Sequence, residues 1–225
     1  MSIPQKAYIL HISSDLSQEY ADISAKSCRN LGIPYEFFKG VEDKSAYDAW
    51  AQSGLNARTL GIYKTDRIDS AACATVSHAL LWKKIVDNRE TAIILEHDAV
   101  MLHPVDVDIP DNRIIVLGYK LKDISRYNHL KAGKPKDILD IDGHEGAHAY
   151  AITWKTAELM LQELQSNGIS LPIDNSFFLK MRKSKIPLSI MSPTPAIGWL
   201  RKSTIWDESS EINYEFIDSF KSNLR

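Results

Sequence analysis

The fold of this 225-residue chain is decided by residues 91–98, which read TAIILEHD. Residues 91–95 are apolar or small without a break, and such a run is typical of a strand covered on both faces. The run ends in Glu96, His97 and Asp98. Ligands of open α/β sheets bind outside the carboxyl ends of the strands. The segment therefore predicts a central strand with a functional site at its end.

Strands and helices alternate on both sides of this segment, which predicts an α/β protein with a mostly parallel central sheet flanked by helices. The predicted strands cover 7–12, 34–38, 91–95, 113–117, 147–153 and 188–191, and the predicted helices cover 17–31, 70–88 (with Ser70 as N-cap), 155–167, 175–183 and 212–224. No repeat or long linker interrupts the chain. We expect one domain over 1–225, with 206–225 as a C-terminal helical extension.

The composition excludes several classes of protein. Lys+Arg is 27 and Asp+Glu is 29, a net charge of −2, whereas dedicated nucleic-acid binders usually carry a basic excess. Two cysteines cannot form a disulfide framework, and the first residues have no signal-peptide pattern. We expect a cytoplasmic protein without a nucleic-acid partner. The basic stretch 119–145, predicted to be a functional loop, leaves peripheral contact with a membrane surface open.

Glu96 and Asp98 are the first candidates for chemistry. Side chains two residues apart on an extended strand point to the same side, and carboxylate oxygens are preferred ligands of Mg²⁺ and Mn²⁺. His97, between them, is expected to point to the other side. A metal site and a simple capped turn both explain the pair.

Several segments together resemble glycosyltransferase family 25, which includes bacterial lipopolysaccharide β-galactosyltransferases and collagen galactosyltransferases. A helix with Ser77, His78 and Trp82 is followed by AIILEHDAV at 92–100. In the same order as in the family, the chain has YILHI at 8–12, GIPYEFF at 32–38, GAHAYAIT at 146–153, PID at 172–174 and STI at 203–205. The resemblance covers most of residues 7–205.

The resemblance implies a GT-A-like nucleotide-sugar-binding fold. It also implies inverting transfer of a hexose, galactose or glucose, from a UDP-sugar to a hydroxyl of a glycan, glycolipid or lipopolysaccharide-like acceptor. Mn²⁺ or Mg²⁺ would be bound by Glu96 and Asp98. Asp174 is the candidate general base, with a helix N-cap as the equally weighted alternative. The other residues implied to bind the donor are His11, Ser13, Ser77, His78, Arg201 and Lys202.

The chain departs from the family pattern at the site. His97 stands where the family usually has Asp, and residues 13–15 read SSD where the family usually has arginines. No histidine follows His148, so no C-terminal histidine ligand is available. These departures keep open a catalytically degenerate relative that binds nucleotide or glycan. A nucleotidyltransferase is disfavoured, because no Gly-rich phosphate loop follows the first strand. His144 and His148 flank Gly146, either as a plain turn or where a ligand approaches the backbone.

Overall fold

The computed structural model describes residues 3–42, 45–53, 68–120, 136–141, 144, 146–167, 173 and 186–198. The predicted helices at 175–183 and 212–224, and with them the extension 206–225, lie outside these residues. None of the helices in the described ranges has the length and apolar character needed to cross a lipid bilayer.

Helices and strands alternate in the first half of the chain, as predicted. The elements are β1 (Lys6–His11), α1 (Asp15–Asn30), β2 (Tyr35–Lys39), α2 (Ser45–Gln52), α3 (Ile68–Asn88) and β3 (Thr91–Glu96). The second half holds β4 (Ala99–Met101), β5 (Ile114–Val116), β6 (Gly118–Lys120), β7 (Asp137–Asp140), β8 (Ala149–Thr153), α4 (Trp154–Asn167), β9 (Leu188–Ser192) and β10 (Ala196–Gly198).

Three details of the sequence prediction are wrong. Helix α3 begins at Ile68, so Ser70 lies inside the helix and is not its N-cap. The stretch 119–145 is not one loop, because β6 ends in it and β7 lies within it; its residues 121–135 are outside the described part. Strands β4, β6, β7 and β10 were not predicted, and each has only three or four residues.

The central sheet has seven strands in the order β2-β1-β3-β8-β5-β9-β7. Strands β2, β1, β3, β5 and β9 run in one direction, while β8 and β7 run in the other. The predicted α/β fold with a mostly parallel sheet is thus confirmed, with β8 as an antiparallel strand at its centre. A second sheet joins β4, β10 and β6.

Both faces of the central sheet are covered. On one face Tyr8 and Ile94 belong to a core with Trp82 of α3 and residues of α4. On the other face Ile9 and Ile93 belong to a core with α1. The alternation along β1 and β3 therefore sends neighbouring side chains into two different cores, which is why both strands have continuous apolar runs.

The register brings three strand ends to one edge of the sheet. Leu10 is the partner of Glu96 between parallel β1 and β3, so both strands end there. Ala149 is the partner of Leu95 between antiparallel β3 and β8. The Glu96 backbone N–H donates to the carbonyl of His148 at 2.8 Å. Residues just after β1 and β3 and just before β8 are therefore neighbours.

Candidate active site

A cluster of Glu96, Asp98 and His148 lies at this edge, and we call it the carboxylate–histidine cluster. His148 Nδ1 is 3.4 Å from Glu96 Oε2 and 3.4 Å from Asp98 Oδ1. One ligand atom from each residue lies within 4.8 Å of those of the other two. Among the described residues it is the one group of three or more His, Cys, Asp or Glu side chains placed to share a metal ion.

Local backbone structure explains how the three side chains meet. Glu96 is the last residue of β3, and Asp98 follows in the tight turn that leads into β4. His148 immediately precedes β8, whose first residues pair with the end of β3. Asp98 and His148 are buried, and a quarter of the Glu96 side chain is exposed. The cluster is thus buried on the protein side and open through Glu96.

The electrostatics of the cluster favour an ionised Glu96 carboxylate and a protonated His148 ring. Burial raises the pKa of Glu96, but hydrogen bonds from His148 and His78 more than offset this effect, so the pKa lies well below its usual range. Burial lowers the pKa of His148, but the Asp98 and Glu96 carboxylates outweigh it and raise the pKa to about 10. Without a bound cation, a protonated His148 ring therefore balances part of the negative charge.

A chain of hydrogen bonds among the buried residues Trp82, Tyr150 and His78 ends at the Glu96 carboxylate. The Trp82 indole N–H donates to the Tyr150 hydroxyl at 2.8 Å, and that hydroxyl lies 2.7 Å from His78 Nδ1. His78 Nε2 lies 3.3 Å from Glu96 Oε1. With the Tyr150 hydroxyl donating to Nδ1, an Nε2–H of His78 points at the Glu96 carboxylate. Burial raises the pKa of Tyr150 well above 10, so the phenol keeps this proton.

The donor set of the cluster fits a divalent cation such as Mn²⁺. Carboxylate oxygens suit Mg²⁺ and Mn²⁺, and an imidazole nitrogen is a common ligand of transition metals. His97 is not part of the set: its ring stacks on Tyr20 of α1, with centroids 6.0 Å apart and an interplanar angle of 18°. This placement agrees with the alternation of side chains expected at the strand end.

Residues implied to bind the donor lie at the same edge of the sheet. The ring of His11, the last residue of β1, makes an edge contact with Phe37 at a centroid distance of 5.6 Å. The Ser13 backbone N–H donates to the Glu42 carboxylate. His78 contacts Glu96, as described above. Asp174, Arg201 and Lys202 lie outside the described residues.

Ser77 braces the end of β2 from α3. Its hydroxyl donates to the carbonyl of Cys73 at 2.7 Å and accepts the Val41 N–H at 2.8 Å. A Cβ atom on Gly40 would lie 3.0 Å from the Ser77 hydroxyl oxygen, so the turn after β2 packs closely on this serine. The two adjacent residues therefore have different partners. Ser77 stabilises the turn after β2, and His78 contacts the Glu96 carboxylate.

His148 is the residue that sequence reasoning left out of the predicted site. Its place depends on β8 running antiparallel to β3, which brings the residue before β8 next to the residues after β3. Tyr150, two residues on, is a core residue with a polar role. The sequence does show a histidine directly before a buried strand. Whether that histidine lies beside Glu96 and Asp98 depends on the direction of the strand, which the sequence does not reveal.

Comparison with known proteins identifies the family of the chain. Residues 5–177 match glycosyltransferase family 25, described as an LPS biosynthesis protein family. No curated protein matches the chain by sequence.

Three solved structures are among those similar to the chain. The galactosyltransferase LgtC, in complex with donor and acceptor sugar analogues, is 10% identical with a TM-score of 0.49, over 96% of this chain and 95% of that one. The apo glycosyltransferase GlyE of Streptococcus pneumoniae TIGR4 is 8% identical with a TM-score of 0.48, and the match covers 99% of this chain and 64% of the GlyE chain. Mouse xyloside xylosyltransferase 1 is 10% identical with a TM-score of 0.42, and the match covers 99% of this chain and 94% of the mouse chain.

The protein is a glycosyltransferase with the α/β fold described above. More particularly, the family match spans well over half of its length, and the chain belongs to glycosyltransferase family 25.

Proposed function

We propose that this glycosyltransferase moves a hexose, galactose or glucose, from a UDP-sugar to a hydroxyl of a glycan or lipopolysaccharide-like acceptor, with inversion. The observation that carries the proposal is the carboxylate–histidine cluster at the carboxyl end of β3 in a family 25 chain. Carboxylates at this edge of an α/β sheet are placed where such sheets bind ligands.

The cluster would hold the cation that accompanies the donor. Glu96 and Asp98 supply carboxylate oxygens on one side of the strand end, and the pKa of Glu96 keeps that carboxylate ionised at neutral pH. Bound there, Mn²⁺ or Mg²⁺ would act as a Lewis acid that neutralises charge on the departing diphosphate. His78 lies between the Tyr150 hydroxyl and Glu96 Oε1, and it would orient the Glu96 carboxylate for this role.

The donor would lie along the same edge. His11 is the last residue of β1 and Ser13 lies just after it, at the end of the strand that is level with Glu96, and we propose that both contact the nucleotide. Ser77 would act on the donor through the turn it supports. Arg201 and Lys202 are proposed to balance the charge of the diphosphate from the C-terminal segment.

Asp174 is the proposed general base. Inverting transfer forms a bond between the acceptor oxygen and the anomeric carbon while the bond from that carbon to the diphosphate oxygen breaks. The acceptor hydroxyl proton would pass to the Asp174 carboxylate. Ile173, the preceding residue, is buried in the core that contains residues of α3 and α4.

The state of the two cysteines bears on the cellular location. Cys28 and Cys73 are buried free thiols, which suits a reducing cytoplasm. We propose a cytoplasmic enzyme whose glycan or glycolipid acceptor can lie at a membrane surface.

A donor screen tests the proposal. Ligands that bind the native state raise its melting temperature, so UDP-, GDP- and CMP-sugars are compared with and without Mn²⁺ after EDTA treatment. The expected result is a shift with UDP-galactose or UDP-glucose that requires Mn²⁺, together with slow hydrolysis of the same sugar nucleotide. Binding without hydrolysis or transfer, across all three classes, would favour the catalytically degenerate alternative.

A further inference from the structure

We infer that His148 is the third protein ligand of the proposed cation, through Nδ1, and that Gly146 is the positioning residue that makes this nitrogen face the carboxylates. The inference rests on the proposed function, because it specifies how the carboxylate–histidine cluster binds its metal. It goes beyond the Glu96–Asp98 pair, and it gives this chain a histidine ligand from the start of β8.

The position of the ring is the first observation. His148 Nδ1 is equally close, at 3.4 Å, to one oxygen of Glu96 and one of Asp98. Its other nitrogen, Nε2, is buried and has no hydrogen-bond partner among the described residues. Nδ1 is therefore the nitrogen available to a cation that contacts both carboxylates.

Gly146 is the second observation. A Cβ atom on Gly146 would lie 2.7 Å from His148 Nε2 and 2.8 Å from Cδ2, closer than real Cβ contacts. The backbone of Gly146 also has φ +87°, a conformation that residues with a Cβ rarely adopt. The ring of His148 thus occupies the space that a side chain at 146 would need, and the missing Cβ lets the ring lie with Nδ1 toward the cluster.

Packing replaces the usual support of a metal-binding histidine. Such a ring normally donates its second N–H to a carboxylate or carbonyl, which fixes its orientation. Here the edge of the ring that carries Nε2 lies against Gly146 instead. Loss of such support typically weakens metal affinity by about 10- to 100-fold, so an alanine at 146 should do the same by turning the ring.

Electron spin-echo spectroscopy of the full-length protein with Mn²⁺ tests the ligand directly, because a coordinated imidazole nitrogen modulates the echo whether or not the enzyme turns over. The wild type and His97→Ala should show ¹⁴N modulation, and His148→Ala should lose it. Modulation that persists in His148→Ala, or is absent from a wild type that binds Mn²⁺, overturns the inference and leaves the proposed function standing. If Mn²⁺ fails to bind the wild type even with UDP present, the metal part of the proposed function fails as well.

The positioning role has a matched control. Gly32 also has a positive φ, +69°, but a Cβ there would meet nothing within 4 Å. Gly146→Ala and Gly32→Ala therefore share backbone strain, and only the first displaces a ring. Calorimetric titration with Mn²⁺ should give an affinity about 10- to 100-fold weaker for Gly146→Ala and unchanged for Gly32→Ala. Equal affinities in the two variants overturn the role of Gly146. If Gly146→Ala does not fold, the double variant Gly146→Ala/His148→Ala, which lacks the ring that the Cβ would meet, should fold; a double variant that also fails to fold, while Gly32→Ala folds, overturns the role of Gly146.

Discussion

Replacing Asp98 with Asn keeps the size of the side chain and removes one negative charge from the carboxylate–histidine cluster. Asp98 is 5% exposed and lies 3.4 Å from His148 Nδ1, so its charge acts in a poorly solvated place. We expect Asp98→Asn to fold, to bind Mn²⁺ more weakly and to lose most of its turnover.

The size of the effect follows from Coulomb's law. The ligand atoms of the cluster lie within 4.8 Å of one another, and a unit charge pair about 4 Å apart is worth about 4 kcal/mol at an effective dielectric constant of about 20. Water reaches the cluster through Glu96, whose side chain is 25% exposed, and this screening lowers the effect. A loss of about 3 kcal/mol corresponds to at least about a hundredfold, because each step of about 1.4 kcal/mol is tenfold.

The assay is UDP release from a UDP-sugar as a function of Mn²⁺ concentration, together with calorimetric titration of Mn²⁺. Asp87→Asn is the matched control, because Asp87 pairs with Lys83 on the surface of α3 and its side chain is 59% exposed. It should behave like the wild type. Full turnover by Asp98→Asn at low Mn²⁺ would refute the reasoning.

The remaining predictions concern three other residues. His97→Asp should keep Mn²⁺ binding and turnover, because the His97 ring stacks on Tyr20 and does not face the cluster. Loss of Mn²⁺ binding in both His97→Asp and His97→Ala would instead identify His97 as a metal ligand. Tyr150→Phe should lower the free energy of unfolding in urea by about 1–3 kcal/mol, since Trp82 and His78 lose a buried partner; an unchanged urea midpoint would contradict the hydrogen-bond chain. Asp174→Asn should lose about a hundredfold or more in transfer with unchanged Mn²⁺ affinity, whereas lost stability with full turnover would identify a helix cap.

Much of the fold could be predicted because the apolar runs reflect burial directly. Residues 91–95 lie between two cores, so every side chain of that strand is buried and the run has no polar break. Helix α1 begins after Ser14, whose hydroxyl accepts a hydrogen bond from the Ser17 N–H, and it ends just before Gly32. In both cases the requirement, burial of a strand or capping of a helix, restricts the types of a few consecutive residues, so it can be read from the sequence.

The direction of β8 could not be predicted in the same way. The segment from Ala149 to Thr153 is buried on both faces, and such a strand has the same composition whichever way it runs. Its direction follows from its pairing with β3 and β5, which are distant in sequence. The site prediction therefore included Glu96 and Asp98, which follow β3, and missed His148, which depends on that pairing.

The role of Ser77 shows a second limit. A serine next to a histidine in a helix has the same sequence signature whether it binds a ligand or supports the backbone. Only the structure shows its hydroxyl between the Cys73 carbonyl and the Val41 N–H. Side-chain partners across elements of this kind follow from tertiary packing, which a pattern within one helix does not contain.

Sugar transfer by this protein should depend on a divalent cation held by the carboxylate–histidine cluster. The most direct measurement is the rate of UDP release from UDP-galactose and UDP-glucose by the wild-type protein, first in excess EDTA and then after Mn²⁺ is restored. We expect the rate to fall to background in EDTA and to return with Mn²⁺. An equal rate in excess EDTA would contradict this dependence.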